Sequence, residues 1–186
     1  METIKIPKKY ILTKTNIKDT KNLEKIQLSG DIEVLICKGI DNVPFIKSVK
    51  ILDISNCISI IKITEEYSNL KQLYCNKCKS LQSLPEVMNN LEILEIAECK
   101  SLFNIPECPN IKKIVATNSN ILTIPNNIHN VEQLMLLGTL VYNVPQYLNK
   151  LKCLEFNESI DLDTYPEIKY FKCKQYQVTS TEDDDQ

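Results

Sequence analysis

The 186-residue sequence contains no arginine and no tryptophan, and it has only three glycines. All 22 basic residues are therefore lysines, which lack the planar guanidinium fork that favours phosphate and base-edge recognition. They are balanced by 24 acidic residues, for a formal net charge of -2, so no strong field attracts nucleic acid or an acidic membrane. These absences argue against nucleic-acid and membrane partners.

Long apolar runs are also missing. No stretch approaches the roughly 18 apolar residues of a membrane span, and residues 1–10 do not form a signal-peptide core. Gly30, Gly39 and Gly138 are too scattered to build a phosphate-binding loop. We therefore expect a cytoplasmic protein without a cofactor.

An internal repeat of 20 or 21 residues dominates the sequence. Counting each unit's first residue as offset zero, offsets three and five are always apolar or small. Two residues that are two positions apart share one face of a strand, so each unit predicts a short strand with these offsets facing the core. The units start at Val49, Leu70, Leu91, Ile111, Val131 and Leu151, with shorter flanking units at Ile32 and Ile168.

Later in most units an apolar position is followed by proline. Proline lacks the N–H that a strand ladder needs and disfavours helix in the preceding residue, so it fits an arm that returns the chain to the next strand. That arm is too short for a full helix, and we expect extended or 3-10 segments. The prolines in this position are Pro85, Pro106, Pro125, Pro145 and Pro166.

Residues 70–85 (LKQLYCNKCKSLQSLP) and 91–106 (LEILEIAECKSLFNIP) resemble leucine-rich repeats of the short type, and the resemblance covers roughly residues 32–173. It implies a leucine-rich-repeat solenoid with a curved parallel β-sheet on the concave side and extended, turn or 3-10 segments on the convex side. The sequence departs from the family pattern by one residue after the cysteine. The bias towards lysine, isoleucine and asparagine also resembles repeat proteins of giant DNA viruses, which implies the host cytoplasm as the location.

We divide the chain into three parts and expect a monomer. Residues 1–31 form an N-terminal cap segment with a possible hairpin turn at Ser29, Gly30 and Asp31. Residues 32–176 form a solenoid of about eight units. Residues 177–186 are polar, end in acidic side chains and are expected to be a disordered tail.

The cysteines have two interpretations. Cys57, Cys78 and Cys99 all occupy offset eight, where later units place Ser119, Thr139 and Ser159. The family resemblance implies that these small polar groups turn inward and bond loop backbone, forming a structural ladder. The alternative is a zinc or redox site, in which Cys75 joins the three cysteines as a fourth thiolate. Stacked units place such residues in a line about 5 Å apart, whereas zinc needs four ligands that converge on one point. This geometry favours the structural ladder, and we expect no metal.

Other candidates for catalysis are weak. His129 lies in a loop, and the repeat register suggests no fixed acid or nucleophile beside it. The serines fall on ladder or turn positions instead of beside a base. We therefore expect that the chain is not an enzyme.

The even offsets two, four and six project away from the core and are the predicted interaction surface. Its centre is apolar and its flanks are charged, which favours a protein-binding scaffold that contacts a partner protein through the concave sheet. The alternative is the substrate-recognition subunit of a ubiquitin-ligase-type assembly with its catalytic part on another chain. The predicted partner-binding residues are Tyr74, Ile93, Glu95, Lys113, Val115, Gln133, Met135, Leu137 and Glu155.

Overall fold

The computed structural model describes residues 9–13, 32–173 and 177–179, which form one ten-stranded sheet whose strand order follows the chain. In the described part of the chain, the 3-10 helices Glu65–Tyr67 and Leu162–Thr164 lie between strands. No helix among the described residues is long and apolar enough to cross a membrane. The strands are β1 (Lys9–Thr13), β2 (Val34–Lys38), β3 (Ile51–Asp53), β4 (Gln72–Tyr74), β5 (Ile93–Glu95), β6 (Lys113–Val115), β7 (Gln133–Met135), β8 (Cys153–Glu155), β9 (Tyr170–Lys172) and β10 (Gln177–Thr179).

The eight strands from β2 to β9 are all parallel and stack in the register that the repeat predicts. Each strand pairs through its offset-three residue with the same offset of the next unit, as Leu52 does with Leu73 and Leu134 with Leu154. Each unit therefore makes one turn of a parallel β-solenoid with about 20 residues per turn. The predicted strand positions and repeat spacing are confirmed.

The core is a set of columns that run along the solenoid. Side chains at offsets zero, three and five point inward, as do those at offset eight as far as Thr139, and one continuous apolar cluster extends from Ile32 to Cys173. Offset three is the most uniform column, since every member from Leu35 to Leu154 is fully buried. Successive turns thus bury each other's apolar residues, which a single unit cannot do alone.

The returning arms are extended segments and turns, as predicted. Successive arms touch through isolated parallel bridges at Lys62 and Ser83, at Val87 and Glu107, and at Asn104 and Thr123. Pro85 and Pro106 are buried on the inner side of their arms, where the missing N–H leaves no ladder bond unmade.

The N-terminal segment adds a strand to the sheet. β1 pairs with β2 in parallel over five residues, from Lys9 with Val34 to Thr13 with Lys38. The hairpin turn predicted at residues 29–31 lies outside the described residues. β1 lies at one edge of the sheet and pairs with the edge of β2 that would otherwise be open.

The C-terminal boundary differs from the prediction. Residues 177–186 were expected to be a disordered tail, but Gln177–Thr179 forms β10 and pairs antiparallel with β9. β9 otherwise ends the parallel stack with unpaired N–H and C=O groups, and a short strand rich in β-forming residues satisfies them. The rest of the predicted tail lies outside the described residues.

Candidate interaction surface

The open face of the sheet is defined here as the surface formed by the side chains at offsets two and four of β3 to β8. It holds eight of the nine predicted partner-binding residues, and the ninth, Leu137, follows β7 at offset six. Gln133 is exposed and the other eight are half-buried. They point outward as predicted, but neighbouring rows only about 4.8 Å apart shield one another, so they are less exposed than isolated surface residues.

A polar network crosses the middle of the open face. Lys113 Nζ donates a 2.7 Å hydrogen bond to Glu95 Oε1, and Asn76 Nδ2 donates to Glu95 Oε2 at 3.1 Å. The amine and the carboxylate also form an ion pair whose two side chains are only 31% and 19% exposed. The Glu95 carboxylate is therefore held in one position by partners on two neighbouring turns.

This network corrects the expected layout of the face. The sequence predicted one contiguous apolar centre, but the Glu95–Lys113 pair separates Tyr74 and Ile93 from the apolar residues further along the chain. The cause is the strand register, which places Glu95 between Tyr74 and Val115. Two smaller apolar areas flank a charged centre.

The larger apolar area lies towards the C-terminal end. Val115 and Met135 are direct register partners on β6 and β7, and Leu137 follows in the turn after β7. Beyond them Glu155 is the register partner of Met135 on β8. Tyr74 lies on the opposite side of the pair and donates its hydroxyl to Gln72 Oε1 at 2.9 Å.

Charges of alternating sign follow one edge of the sheet, a feature that sequence reasoning missed. At offset one, Glu92 pairs with Lys112 at 2.7 Å and Glu132 with Lys152 at 2.9 Å. The hydrogen bond and attraction from Lys112 lower the pKa of the Glu92 carboxyl. The regular alternation of lysine and glutamate at one offset was the sequence signal.

Asparagines stack beside these charges at the position before four of the six units, those that start at Leu70, Leu91, Ile111 and Val131. Asn90 Nδ2 donates to Asn69 Oδ1 at 3.1 Å, and Asn110 Nδ2 donates to the carbonyl of Asn89 at 2.7 Å. Charges and amides together line a groove of about 390 Å³. Because these groups largely satisfy each other across turns, the groove ties the repeats together.

The offset-eight ladder has two kinds of hydrogen bond. The Cys57, Cys78 and Cys99 thiols each donate to the offset-five carbonyl of the preceding turn, at 3.4, 3.0 and 2.9 Å. The Ser119 and Thr139 hydroxyls donate to the offset-five carbonyl of their own turn. All five side chains are buried, and they give these carbonyls a second donor, since four of the five carbonyls also accept a backbone N–H from offset eight of their own turn.

Ser159 departs from this ladder, because its side chain is exposed. In the earlier turns a residue with positive φ at offset seven aims the next side chain inward, as Asn118 does at 57° and Gly138 at 74°. Glu158, the equivalent residue before Ser159, does not adopt this conformation. The last full turn therefore leaves its strand differently, and the residue type at offset seven does not predict this, because Glu98 occupies the same offset with positive φ.

The buried cysteines are poorly suited to thiolate chemistry. Burial raises the pKa of Cys78 to about 12 and that of Cys99 to about 11, and it also raises the pKa of Cys75. Zinc binds deprotonated thiols, whereas the hydrogen bonds to the carbonyls require protonated thiols as donors. Within the described residues no group of three or more histidine, cysteine or acidic side chains is arranged to hold a metal ion.

His129 lies on the outside of its loop, away from the open face. Its ring contacts that of Tyr147 with a centroid distance of 4.7 Å, and it is exposed. The Tyr147 hydroxyl is itself occupied, since it donates to the carbonyl of Pro125 at 2.8 Å. The histidine packs against an aromatic ring and is not placed beside the buried cysteines or serines of the ladder.

The fold and the surface together define a class of protein, a parallel β-solenoid with 20-residue turns and an open sheet face. No protein-family model matches the chain, and no curated protein is significantly similar to it in sequence.

Proposed function

We propose that the chain is a leucine-rich-repeat type scaffold without catalytic activity, and that it binds an extended segment of a partner protein on the open face. The observation that carries the proposal is the unbroken register from β3 to β8, which holds two outward rows of side chains at a fixed spacing. A surface built this way needs little ordering when a partner binds. The resemblance to leucine-rich repeats supports the same use of the sheet.

The chemistry of the open face suits a segment with both apolar and charged side chains. Val115, Met135 and Leu137 offer apolar contact at one end, and Glu95 and Lys113 offer a fixed carboxylate and amine at the centre. A fixed ion pair favours partners that place opposite charges beside it, which gives selectivity more than affinity. The apolar area supplies the favourable burial.

The dimensions of the face agree with a short extended segment. Six strands about 4.8 Å apart span roughly 24 Å, which is the length of about seven residues of extended chain. A segment that runs across the strands therefore contacts both apolar areas and the pair between them. The alternative role, a substrate-selecting subunit of a ubiquitin-ligase assembly, uses the same face, and no described residue favours it over simple binding.

The test is a selection of random linear peptides displayed on phage against the folded protein. Wild type should enrich peptides with apolar and charged residues, and Met135→Glu should weaken the selected peptides by about tenfold or more because it places a carboxylate in the apolar area. Phe103→Glu, which alters an exposed side chain on the returning arm, is the matched control and should leave peptide affinity unchanged.

A companion variant checks which way β7 faces. Leu134 is fully buried and adjacent to Met135, so Leu134→Asp should cost about 3 to 5 kcal/mol of unfolding free energy, while Met135→Glu should change it by less than about 1. Equal loss of stability in both variants, or peptides that bind Met135→Glu as tightly as wild type, would contradict the proposal.

A further inference from the structure

The returning arms carry an exposed apolar row that is separate from the open face. Along this row the fractional exposure is 57% for Ile61, 44% for Phe103, 44% for Leu122 and 79% for Tyr142. Backbone hydrogen bonds join neighbouring turns at two points of this row, where Gln82 N–H donates to the Ile61 carbonyl and Leu122 N–H donates to the Phe103 carbonyl. Gln82 is the one polar residue within it.

Charges of opposite sign flank the apolar row. On the side of offset nine, the exposed residues Lys79 and Lys100 stack on successive turns, linked by the Ser101 hydroxyl donating to the Lys79 carbonyl at 2.8 Å. On the side of offset sixteen, exposed Glu86 and Glu107 stack in the same way, with Glu107 N–H donating to the Glu86 carbonyl at 3.0 Å. The arm thus presents an apolar row over five turns, and two of these turns carry lysine at one margin and glutamate at the other.

We propose that this arm surface is a self-association site on which a second copy of the chain packs face to face. If the two-fold axis runs parallel to the solenoid axes, each turn faces the same turn of the other copy and the two flanking rows exchange sides. Lys79 then faces Glu86, and Lys100 faces Glu107, on both margins of the interface. The apolar rows meet in the middle, as in a self-complementary two-fold contact.

The charges also select this orientation over the other one. A two-fold axis perpendicular to the solenoid axes places the basic row against the basic row and the acidic row against the acidic row. Like charges in contact oppose association, so only the parallel arrangement is favourable. The surface is therefore complementary to itself and needs no separate partner of opposite charge.

The available area indicates a weak dimer. Five turns about 4.8 Å apart give a row roughly 19 Å long, and offsets nine to sixteen span about 23 Å of extended chain. With side chains at the margins, the contact covers about 600 Å² on each copy, or about 1,200 Å² in total, which is the lower limit for a stable interface. This differs from the monomer expected from the sequence. It leaves both open faces free on the outside of the dimer.

The test measures the mass of the full chain by sedimentation velocity over a concentration series. Wild type should show a dimer that dissociates on dilution. Lys79→Glu combined with Lys100→Glu, and separately Glu86→Lys combined with Glu107→Lys, should each raise the dimer dissociation constant by about tenfold or more, because like charges then meet on both margins.

The decisive experiment mixes the two charge-reversed variants. Each reversed row of one variant faces a row of opposite charge on the other, so the mixture should regain wild-type association although each variant alone dimerises more weakly. Met135→Glu on the open face is the control and should dimerise as wild type does.

Two results would overturn the proposal. One is a wild-type chain that stays monomeric at about 1 mM, where even weak dimers form. The other is a mixture that associates no better than its separate components. Circular dichroism spectra of the charge-reversed variants should match wild type, since all four changed side chains are exposed. Because the open face takes no part, failure here leaves the proposed peptide binding intact.

Discussion

At the scale of single residues, the turn that follows each strand depends on one residue with positive φ. Offset seven holds this conformation in six turns, and two of the six residues, Lys77 at 63° and Glu98 at 59°, are types that rarely adopt it. The position orients the buried offset-eight side chain. The other four turns place glycine or asparagine at offset seven, which are the residue types that adopt positive φ most readily. These residues are Gly39, Asn56, Asn118 and Gly138.

The two glycines at offset seven give a matched test. A Cβ on Gly138 would collide with Asn118 Oδ1 and lie 3.3 Å from the Asn118 Cα, whereas a Cβ on Gly39 would meet nothing within 4 Å. Gly39→Ala should therefore cost only the backbone strain of about 1 kcal/mol, and Gly138→Ala about 2 to 3 kcal/mol. Urea denaturation measures both, and Asn118→Ala should partly rescue Gly138→Ala. Equal costs would show that the contact with Asn118 does not matter.

The buried thiols make stability depend on alkaline pH. Their ordinary pKa is 9.0, and burial raises the pKa of Cys78 to about 12 and that of Cys99 to about 11. Below pH 9 these thiols are protonated in both the folded and the unfolded chain, so their full contribution to the unfolding free energy is present. Above pH 9 the unfolded chain loses protons that the folded chain retains, so stability falls as pH rises, until the folded thiols ionise as well.

Replacing both thiols by serine isolates this effect. Between pH 8 and pH 10 the unfolding free energy should fall further in wild type than in the double variant Cys78→Ser, Cys99→Ser. The expected difference is about 1 kcal/mol for each buried thiol that was replaced. Serine keeps a donor for the carbonyl, as Ser119 does in its own turn. Urea denaturation at the two pH values is the measurement, and parallel pH slopes in the two proteins would rule out the thiols as the cause.

The residue scale also shows where sequence reasoning ends. The repeat predicted that Glu95, Lys113 and Val115 share one face, because strand periodicity fixes which side chains project together. It did not predict that the Lys113 amine bonds the Glu95 carboxylate, since that depends on side-chain conformations and on which residue of the neighbouring turn lies opposite. The division of the apolar patch follows from the register, which places Glu95 between Tyr74 and Val115, and the contact then fixes the charged centre.

At the scale of secondary-structure elements, the strands were predictable and the ends of the sheet were not. β3 to β8 follow from six repeated units, so every unit reinforces the assignment of the others. β10 belongs to no repeat unit and runs antiparallel, and its sequence next to an acidic stretch gave no periodic signal. Its pairing depends on the exposed edge of β9, which only the assembled sheet reveals.

This role of β10 can be tested by two truncations. Removing residues 177–186 should lower the melting temperature by several degrees and promote aggregation, because it leaves the edge of β9 unpaired. Removing only residues 180–186 keeps β10 and should change neither property. Thermal unfolding and light scattering of the two chains are the measurements. Identical behaviour of the longer truncation and wild type would mean that β10 does not protect the edge.

At the scale of the whole molecule, the solenoid is a one-dimensional stack. Each described strand contacts only the strands next to it in the sheet, and the core continues from turn to turn without a second layer of helices. Stability is therefore the sum of unit and neighbour terms, and damage should spread along the axis from where it occurs. The two proposed surfaces occupy opposite sides of this stack, the open face on the strands and the self-association site on the arms.

Two equivalent cavities, one made near the centre of the stack and one near its end, test the one-dimensional arrangement. Leu94 on β5 and Leu154 on β8 occupy the same offset and are both fully buried, so changing either to alanine should remove a similar amount of packing, about 2 to 5 kcal/mol. Leu154→Ala lies near an end, where the last strands can detach while the rest of the stack stays folded. Hydrogen exchange should then show lost protection in β8 to β10 and native protection in β3 to β5.

Leu94→Ala interrupts the centre, where neither half can detach without exposing a large apolar surface, so it should lower the protection of β3 to β7 together. A uniform loss of protection in both variants would indicate that the molecule unfolds as one globular unit instead of turn by turn.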